Sequence, residues 1–150
     1  MTGAFVESTQ SEASLWLISL NSKWRPMGRT LLRTGPLAAT MTMPRDLFRV
    51  ALLAEANAIA IVRGEPSGNV AMTKHDERAL KNFSDAAAWL NIEFVDYMVI
   101  STNDAGRQWC WKISYHPSRQ TNHLLIGLEN VTANCRLSLA FLSVVSAFGH

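Results

Sequence analysis

Apolar and polar residues follow one another along this chain in blocks that predict a series of strands and helices. The apolar block at residues 15–20 predicts a strand, and residues 25–33 return after a short polar turn as its hairpin partner. A second apolar run at residues 59–62 is typical of a buried strand, because it contains no alternating polar position. Residues 92–100 and 107–115 predict a second hairpin around a turn-rich loop.

Two helices are predicted between these strands. The first covers residues 44–56 and begins with Pro44, whose ring suits the first helical position. The second begins near Thr73, which forms a capping-box pattern with Asp76 or Glu77. The apolar positions at helical spacing are Leu47, Val50, Ala51 and Ala54 in the first helix and Leu80, Phe83, Ala87 and Leu90 in the second. The predicted order is therefore β-β-α-β-α-β-β, which indicates an α/β fold of the α+β type.

The chain ends with an apolar segment at residues 135–148. This segment is shorter than the roughly 20 residues that span a bilayer, and it carries Arg136. We therefore expect a helix that packs in the core or in a dimer, and no membrane contact. The predicted organisation is a flexible tail at residues 1–12, one domain at 13–115, and a C-terminal extension with the apolar helix at 116–150.

Composition supports one domain without a strongly charged partner. A chain of 150 residues with 48% apolar content can bury its own core, and its net charge is only +2. Cys110 and Cys135 are the only cysteines and form no CxxC pair, which favours free thiols in a reducing compartment. The N-terminal residues do not resemble a signal peptide, so we expect a cytoplasmic protein.

Basic residues are concentrated in the first third of the chain. They are Lys23, Arg25, Arg29, Arg33, Arg45 and Arg49, and Asp46 is the acidic residue among them. Such a cluster is one criterion for a nucleic-acid face. Basic residues on a solvated strand face are the more frequent case, so a nucleic-acid partner is the less favoured interpretation.

The most informative stretch is the end of the strand at residues 59–62. The apolar run changes there into Arg63, Gly64 and Glu65, which predicts a turn with a cation and an anion on the same side of the strand end. The loop that follows contains Pro66, Ser67 and Gly68. Strand ends that lead into loops are where α/β proteins place their chemistry.

Several stretches of this chain together resemble a known family. They are LISLN at residues 17–21, PRDLFRVAL at 44–52, PSG at 66–68, LNI at 90–92 and VDY at 95–97. Residues 15–100 are thereby similar to the RadC-type branch of the JAB/MPN (JAMM) metalloprotease family. The resemblance implies a three-layer, cytidine-deaminase-like fold, in which helices flank a mixed central sheet. The chain after about Tyr115 extends beyond the usual end of the family.

The resemblance also implies where a zinc site would lie. Members of the family hold zinc with two histidines and an aspartate of an H-x-H-P and S-x-x-D motif. Matched by position, Arg63 and Glu65 stand in place of the two histidines. Thr73 takes the serine position, and Asp76 is the retained aspartate. Tyr97 stands at the histidine of the family's LLDH stretch.

These replacements change the chemistry of the site. Arg63 stays charged and has no lone pair to offer a metal. We expect Arg63 to occupy the former metal position and to pair with Glu65, Asp76 or both. Its planar guanidinium can donate two parallel hydrogen bonds to a carboxylate. The family zinc is expected to be lost, with no other cofactor. The upstream glutamate that acts as general base in the family has no clear counterpart in this chain, and Glu12 is only a weak candidate. A surface Arg63 beside a solvated Glu65 is the alternative interpretation.

Three functions remain open at this stage. The favoured one is a non-catalytic pseudo-metalloprotease domain that binds a protein partner or forms a homodimer, with the apolar C-terminal segment as its docking element. The second is a metal-dependent peptidase or isopeptidase with a rewired site at Glu65, His75 and Asp76. The third is a DNA-associated protein, since the family carries a DNA-repair label and occurs around mobile elements.

Overall fold

The computed structural model describes residues 12–35, 42–67, 73–102 and 108–111. The strands are β1 (Ala13–Leu20), β2 (Pro26–Gly35), β3 (Ala58–Gly64), β4 (Glu93–Thr102) and β5 (Gln108–Trp111), and the helices are α1 (Pro44–Leu53) and α2 (Lys74–Trp89). This order confirms the predicted β-β-α-β-α-β-β succession. Residues 1–11 of the tail predicted at 1–12, the predicted extension at 116–150 and Gly68 lie outside the described residues.

The described strands form one mixed five-stranded sheet in the order β2-β1-β3-β4-β5. β1 pairs antiparallel with both β2 and β3, while β3 and β4 are parallel and β4 pairs antiparallel with β5. The parallel pair arises because α2 connects β3 to β4, as a crossover between parallel strands requires. This arrangement confirms the expected α+β fold with a mixed central sheet.

The strand β3 is longer than predicted. The prediction that the chain turns at Arg63 is wrong, because the ladder with β1 continues through Arg63 opposite Leu15 and Gly64 opposite Ser14. Backbone pairing on both sides of a central strand keeps the strand extended even where its side chains turn polar. Arg63 is therefore part of the sheet.

One face of the sheet packs against both helices. Leu15, Leu17, Ile59, Ile61, Phe94, Tyr97 and Val99 form this core with Leu47, Phe48 and Ala51 of α1 and Leu80, Phe83 and Ala87 of α2. The helical positions recur every three or four residues, which places them on one side of each helix. Two residues that were predicted on the apolar helix faces are not part of this core. Ala54 is the C-cap of α1, and Leu90 is the C-cap of α2 and is exposed.

The opposite face of the sheet is also apolar and buried. Its members are Trp16, Ile18, Leu20, Ala58, Ala60, Val62, Val95 and Met98, with Trp24 packed partly against them. Because side chains alternate along a strand, β1 and β3 supply residues to both faces. Burial on both faces explains why β3 is apolar up to Arg63 without alternation.

The two ends of the sheet differ in character. Both helices end near the N-terminal ends of β3 and β4. At that end of the sheet, the amide of Glu93 donates to the carbonyl of Asn57 over 2.9 Å. The carboxyl end of β3 lies at the opposite end of the sheet, and α2 is the next described element in the chain. Neither described helix has the length and apolar character to cross a membrane.

Candidate functional site

The candidate site lies where β3 ends and α2 begins. Ile59, Ile61 and Arg63 share one face of β3, because alternate residues of a strand point the same way. That face packs against the helices, so the Arg63 side chain enters the layer between sheet and helices. It is completely buried, with 0% exposure. The alternative of a surface cation at Arg63 is therefore wrong.

The partner of Arg63 is Asp76, in the first turn of α2. Nη1 of Arg63 donates to Oδ2 of Asp76 over 3.1 Å. The exposures of the two side chains are 0% and 3%, so the pair is shielded from water. Removing two charges from water is costly unless each has a partner, and here each charge provides that partner for the other. Of the expected carboxylates, Asp76 is thus the one that pairs with Arg63.

Asp76 is also fixed by the start of the helix. The backbone N–H and the hydroxyl of Thr73 donate to Oδ2 of Asp76 over 2.9 and 3.0 Å, and the amide of Asp76 donates to the Thr73 hydroxyl over 3.2 Å. This is the predicted capping box, with Asp76 rather than Glu77 as its acidic member. Together with Arg63, three donors converge on the single oxygen Oδ2, so its lone pairs are already engaged.

Glu65 is buried, with 4% exposure, but it has a different partner. Its Oε1 accepts hydrogen bonds from the backbone N–H and the hydroxyl of Ser67, over 3.2 and 2.8 Å. The half-buried Pro66 lies between them. The alternative of a solvated Glu65 is wrong. The pairing with Ser67 was not predicted, although a carboxylate two residues before a serine can accept from both of its donors.

Tyr97 completes the cluster from β4. Burial raises the pKa of the Tyr97 hydroxyl well above its ordinary value; the nearby guanidinium of Arg63 lowers it in part, and Asp76 and Glu65 raise it. Among the described residues, no hydrogen-bond partner is found for the Tyr97 hydroxyl, Nε and Nη2 of Arg63, or Oε2 of Glu65. The cluster thus holds a cation, two carboxyl groups and a phenol in a region closed to solvent.

These side chains do not have the chemistry of the zinc site that the family resemblance implies. A catalytic zinc needs about three nitrogen, sulfur or oxygen ligands and an open position. Arg63 offers no lone pair, and Oδ2 of Asp76 already accepts from Arg63 and Thr73. His75 is exposed although its neighbour Asp76 is buried. The described part of the chain contains no group of three His, Cys, Asp or Glu residues that could hold a metal ion.

Two other sets of predicted residues can be placed. Glu12, the weak candidate for a general base, is exposed just before β1. It lies at the same end of the sheet as Arg63, because Leu15 of β1 is opposite Arg63 of β3. The basic residues lie on several elements and do not share one surface of the sheet. Arg29 of β2 lies over the ring of Trp16 at 5.7 Å, on the face away from the helices. Arg45 and Arg49 are exposed on α1, and Lys23 and Arg25 are exposed at the β1–β2 turn.

The chain is similar to proteins of one family. Residues 3–106 match the RadC-like JAB domain. A UPF0758 protein of Chlorobium chlorochromatii is 27% identical over 95 residues, covering 63% of this chain and 43% of that protein. A UPF0758 protein of Staphylococcus carnosus is 31% identical over 84 residues, covering 56% and 37%. The chain thus spans less than half the length of these curated relatives. Because the matched residues 3–106 include β1 to β4, both described helices and the Arg63 cluster, the chain belongs to the RadC-like JAB domain family.

Proposed function

We propose that this protein is a non-catalytic JAB domain in which Arg63 takes the place of the family zinc, and that it acts as a protein-interaction module which pairs with a second copy of itself. The buried hydrogen bond between Arg63 and Asp76 carries the first part of the proposal. It uses the one aspartate that the family motif retains, and it brings a fixed positive charge to the position of the metal.

The chemistry of the cluster supports the loss of hydrolysis. In a metallohydrolase the metal polarises the substrate carbonyl and lowers the pKa of a bound water so that hydroxide forms near neutral pH. A guanidinium can balance the charge of a carboxylate, but it does not coordinate water as a Lewis acid does. The buried cluster is also closed to solvent at Arg63 and Asp76, so a peptide substrate has no access to it.

Exposed apolar side chains support the interaction role. Leu53 at the end of α1 and Trp89 at the end of α2 are 81% and 90% exposed, and Leu52 and Leu90 are exposed beside them in sequence. Both helices end near the N-terminal ends of β3 and β4, so these side chains lie at the same end of the sheet. Tryptophan is enriched among residues that dominate binding energy, and a two-fold dimer would place this apolar end against its own copy.

Metal content tests the first part of the proposal. The protein is purified without chelator and without added zinc, and the metal is measured per chain by elemental analysis. We expect no stoichiometric zinc and no change in melting temperature when zinc is added. A content of about one zinc ion per chain, as in a three-ligand site, would contradict the proposal and favour the hydrolase with a rewired site. Glu65→Ala would then be assayed for loss of that metal.

Sedimentation at several protein concentrations tests the second part. We expect a reversible dimer that Trp89→Glu dissociates. Asn82→Glu is the matched control, because Asn82 is exposed on the same helix and receives the same charge. A monomer at all concentrations, or equal effects of the two variants, would contradict self-association through this end. Binding of DNA with a steep salt dependence would instead support the third function, because that dependence reports contacts with phosphates.

A further inference from the structure

A cavity of about 340 Å³ lies at the end of the sheet opposite the Arg63 cluster. Its polar lining residues are Ser22, Asn57, Asn91 and Glu93, and its other lining residues are apolar. They come from the β1–β2 turn, from the connection between α1 and β3, and from α2 and its connection to β4. Ligand sites typically have volumes of about 300–1,000 Å³. The cavity is therefore large enough for a small organic group.

Backbone hydrogen bonds fix the rim of this cavity. The amide of Asn57 donates to the carbonyl of Leu20 over 3.0 Å, and the amide of Glu93 donates to the carbonyl of Asn57 over 2.9 Å. Asn91 has φ 54°, a left-handed conformation that asparagine tolerates after the end of a helix. The three connections are thus held together before any ligand arrives.

Trp24 fixes the carboxylate of Glu93 at this rim. Nε1 of Trp24 donates to Oε2 of Glu93 over 2.9 Å. Trp24 has φ 57°, a conformation that aromatic residues rarely adopt, and its ring packs partly against the apolar cluster on the second face of the sheet. Such a conformation persists only where the surroundings enforce it, and it is frequent at ligand sites. The bond engages one carboxylate oxygen, and Oε1 can accept from a ligand.

The charges around the cavity favour a cation. Glu93 is acidic, and none of the described residues that line the cavity is basic. Ala87 and Ala88 bring the C-terminal end of α2, with its partial negative charge, to the same wall. Neither described helix has a basic residue in its last turn to balance that charge. Lys23 and Arg25 are exposed in the β1–β2 turn, but neither lines the cavity.

We infer that this cavity binds a primary ammonium group, carried by a lysine side chain or by a small alkylamine. An ammonium group has three N–H donors and no acceptor, and the lining offers it Oε1 of Glu93 and the side-chain oxygens of Asn57 and Asn91. A guanidinium fits less well, because it prefers both oxygens of a carboxylate and Trp24 already donates to Oε2. The inference depends neither on the loss of zinc nor on self-association.

An NMR titration of the protein with n-butylamine at pH 7 tests this inference, since the amine is charged at that pH. We expect saturable shifts of the amide signals of Asn57, Asn91 and Glu93. The uncharged n-butanol has the same chain length and should cause no such shifts. Saturable shifts with n-butanol equal to those with the amine would overturn the inference.

Nα-acetyl-lysine methylamide, titrated in parallel, distinguishes the two sources of the ammonium group. Tighter binding than that of n-butylamine would identify a lysine of a protein partner, and weaker binding would identify a free amine. Either result agrees with an ammonium site. Absence of saturable shifts with both amines would overturn the inference.

A pair of variants tests the role of the carboxylate. Glu93→Gln should weaken amine binding by roughly tenfold or more, because it removes the charge that accepts from the ammonium group. The glutamine oxygen can still accept from Trp24, so the contact at the rim is kept. Glu55→Gln is the matched control, because Glu55 is exposed just after α1 and does not line the cavity. It should change binding by no more than about twofold. Equal effects of the two variants would overturn the inference.

Discussion

Nη1 of Arg63 and Oδ2 of Asp76 are 3.1 Å apart, and this hydrogen bond connects the last part of β3 to the first turn of α2. Asp76 is at the same time the acidic member of the capping box of α2. One carboxylate therefore closes the charge pair, caps the helix and joins two elements of the fold. This shared role makes the pair sensitive to substitution on either side.

Arg63→Met is expected to destabilise the protein strongly. The variant keeps most of the side-chain volume but leaves the Asp76 carboxylate buried without its cation. Breaking a buried ion pair by removing one partner costs about 3–5 kcal/mol. Urea unfolding followed by circular dichroism measures this loss.

Lys81→Met is the control for that measurement. Lys81 pairs with Asp85 over 2.6 Å on the surface of α2, and both side chains are largely exposed. An exposed pair four residues apart contributes only about 0.3–0.5 kcal/mol. If Arg63→Met cost no more than Lys81→Met, the Arg63–Asp76 pair would not be the structural link described above.

The double variant Arg63→His/Glu65→His is expected to gain zinc binding. It places two imidazoles next to Asp76, at the positions where the family resemblance implies them, and it removes the guanidinium that donates to Oδ2 of Asp76. Zinc in 100-fold excess over its dissociation constant should then stabilise the variant by about 2.7 kcal/mol. Thermal unfolding with and without zinc measures the effect.

Asp76→Asn in the same double variant serves as its control. The amide is a poorer ligand than the carboxylate, so zinc should stabilise the triple variant less. Failure of the double variant to bind zinc, while it remains folded, would show that more than these two replacements separates this cluster from a metal site.

Thr73→Ala is expected to weaken the start of α2. It removes both hydrogen bonds of the Thr73 hydroxyl, to Oδ2 and from the amide of Asp76. Loss of such a cap costs about 0.5–2 kcal/mol of folding free energy. Thr73→Ser keeps the hydroxyl and should retain most of that stability in the same denaturation measurement. A larger loss for serine than for alanine would contradict the role of the hydroxyl.

Tyr97 is expected to make the protein less stable at high pH. Burial, with a smaller contribution from Asp76 and Glu65, raises the pKa of Tyr97 in the folded protein, against the effect of Arg63. In the unfolded chain, the Tyr97 hydroxyl ionises at a pH of about 10. Stability is therefore fully present below that pH, and it falls as the pH rises above it, because only the unfolded state then releases the proton.

Urea unfolding between pH 8 and 11 measures this dependence. Tyr97→Phe removes the ionisable group and should reduce the loss of stability at high pH, while other groups titrate as before. In the folded protein, absorbance should report a delayed ionisation for one of the two tyrosines. Ionisation of Tyr97 near its ordinary pKa in the folded state would contradict the effect of burial.

Local patterns were sufficient to predict the order of the elements and the start of both helices. Pro44 and the Thr73–Asp76 capping box act within one turn of the chain, so the residues that define them are close in sequence. The end of β3 was not predictable in this way. Backbone bonds from β1 and β4 keep Arg63 and Gly64 extended, and those strands are distant in sequence.

The sequence by itself determined the chemistry available at the site: a guanidinium and a carboxylate at positions where the resemblance to the family implies imidazoles, and an aspartate at the position where it implies one. Only the tertiary structure decided that Arg63 is buried, that it bonds Asp76, and that Glu65 bonds Ser67 instead. The physical reason is that burial and partner choice depend on how the sheet and helices meet. Residues 13 positions apart become neighbours only when α2 packs against β3.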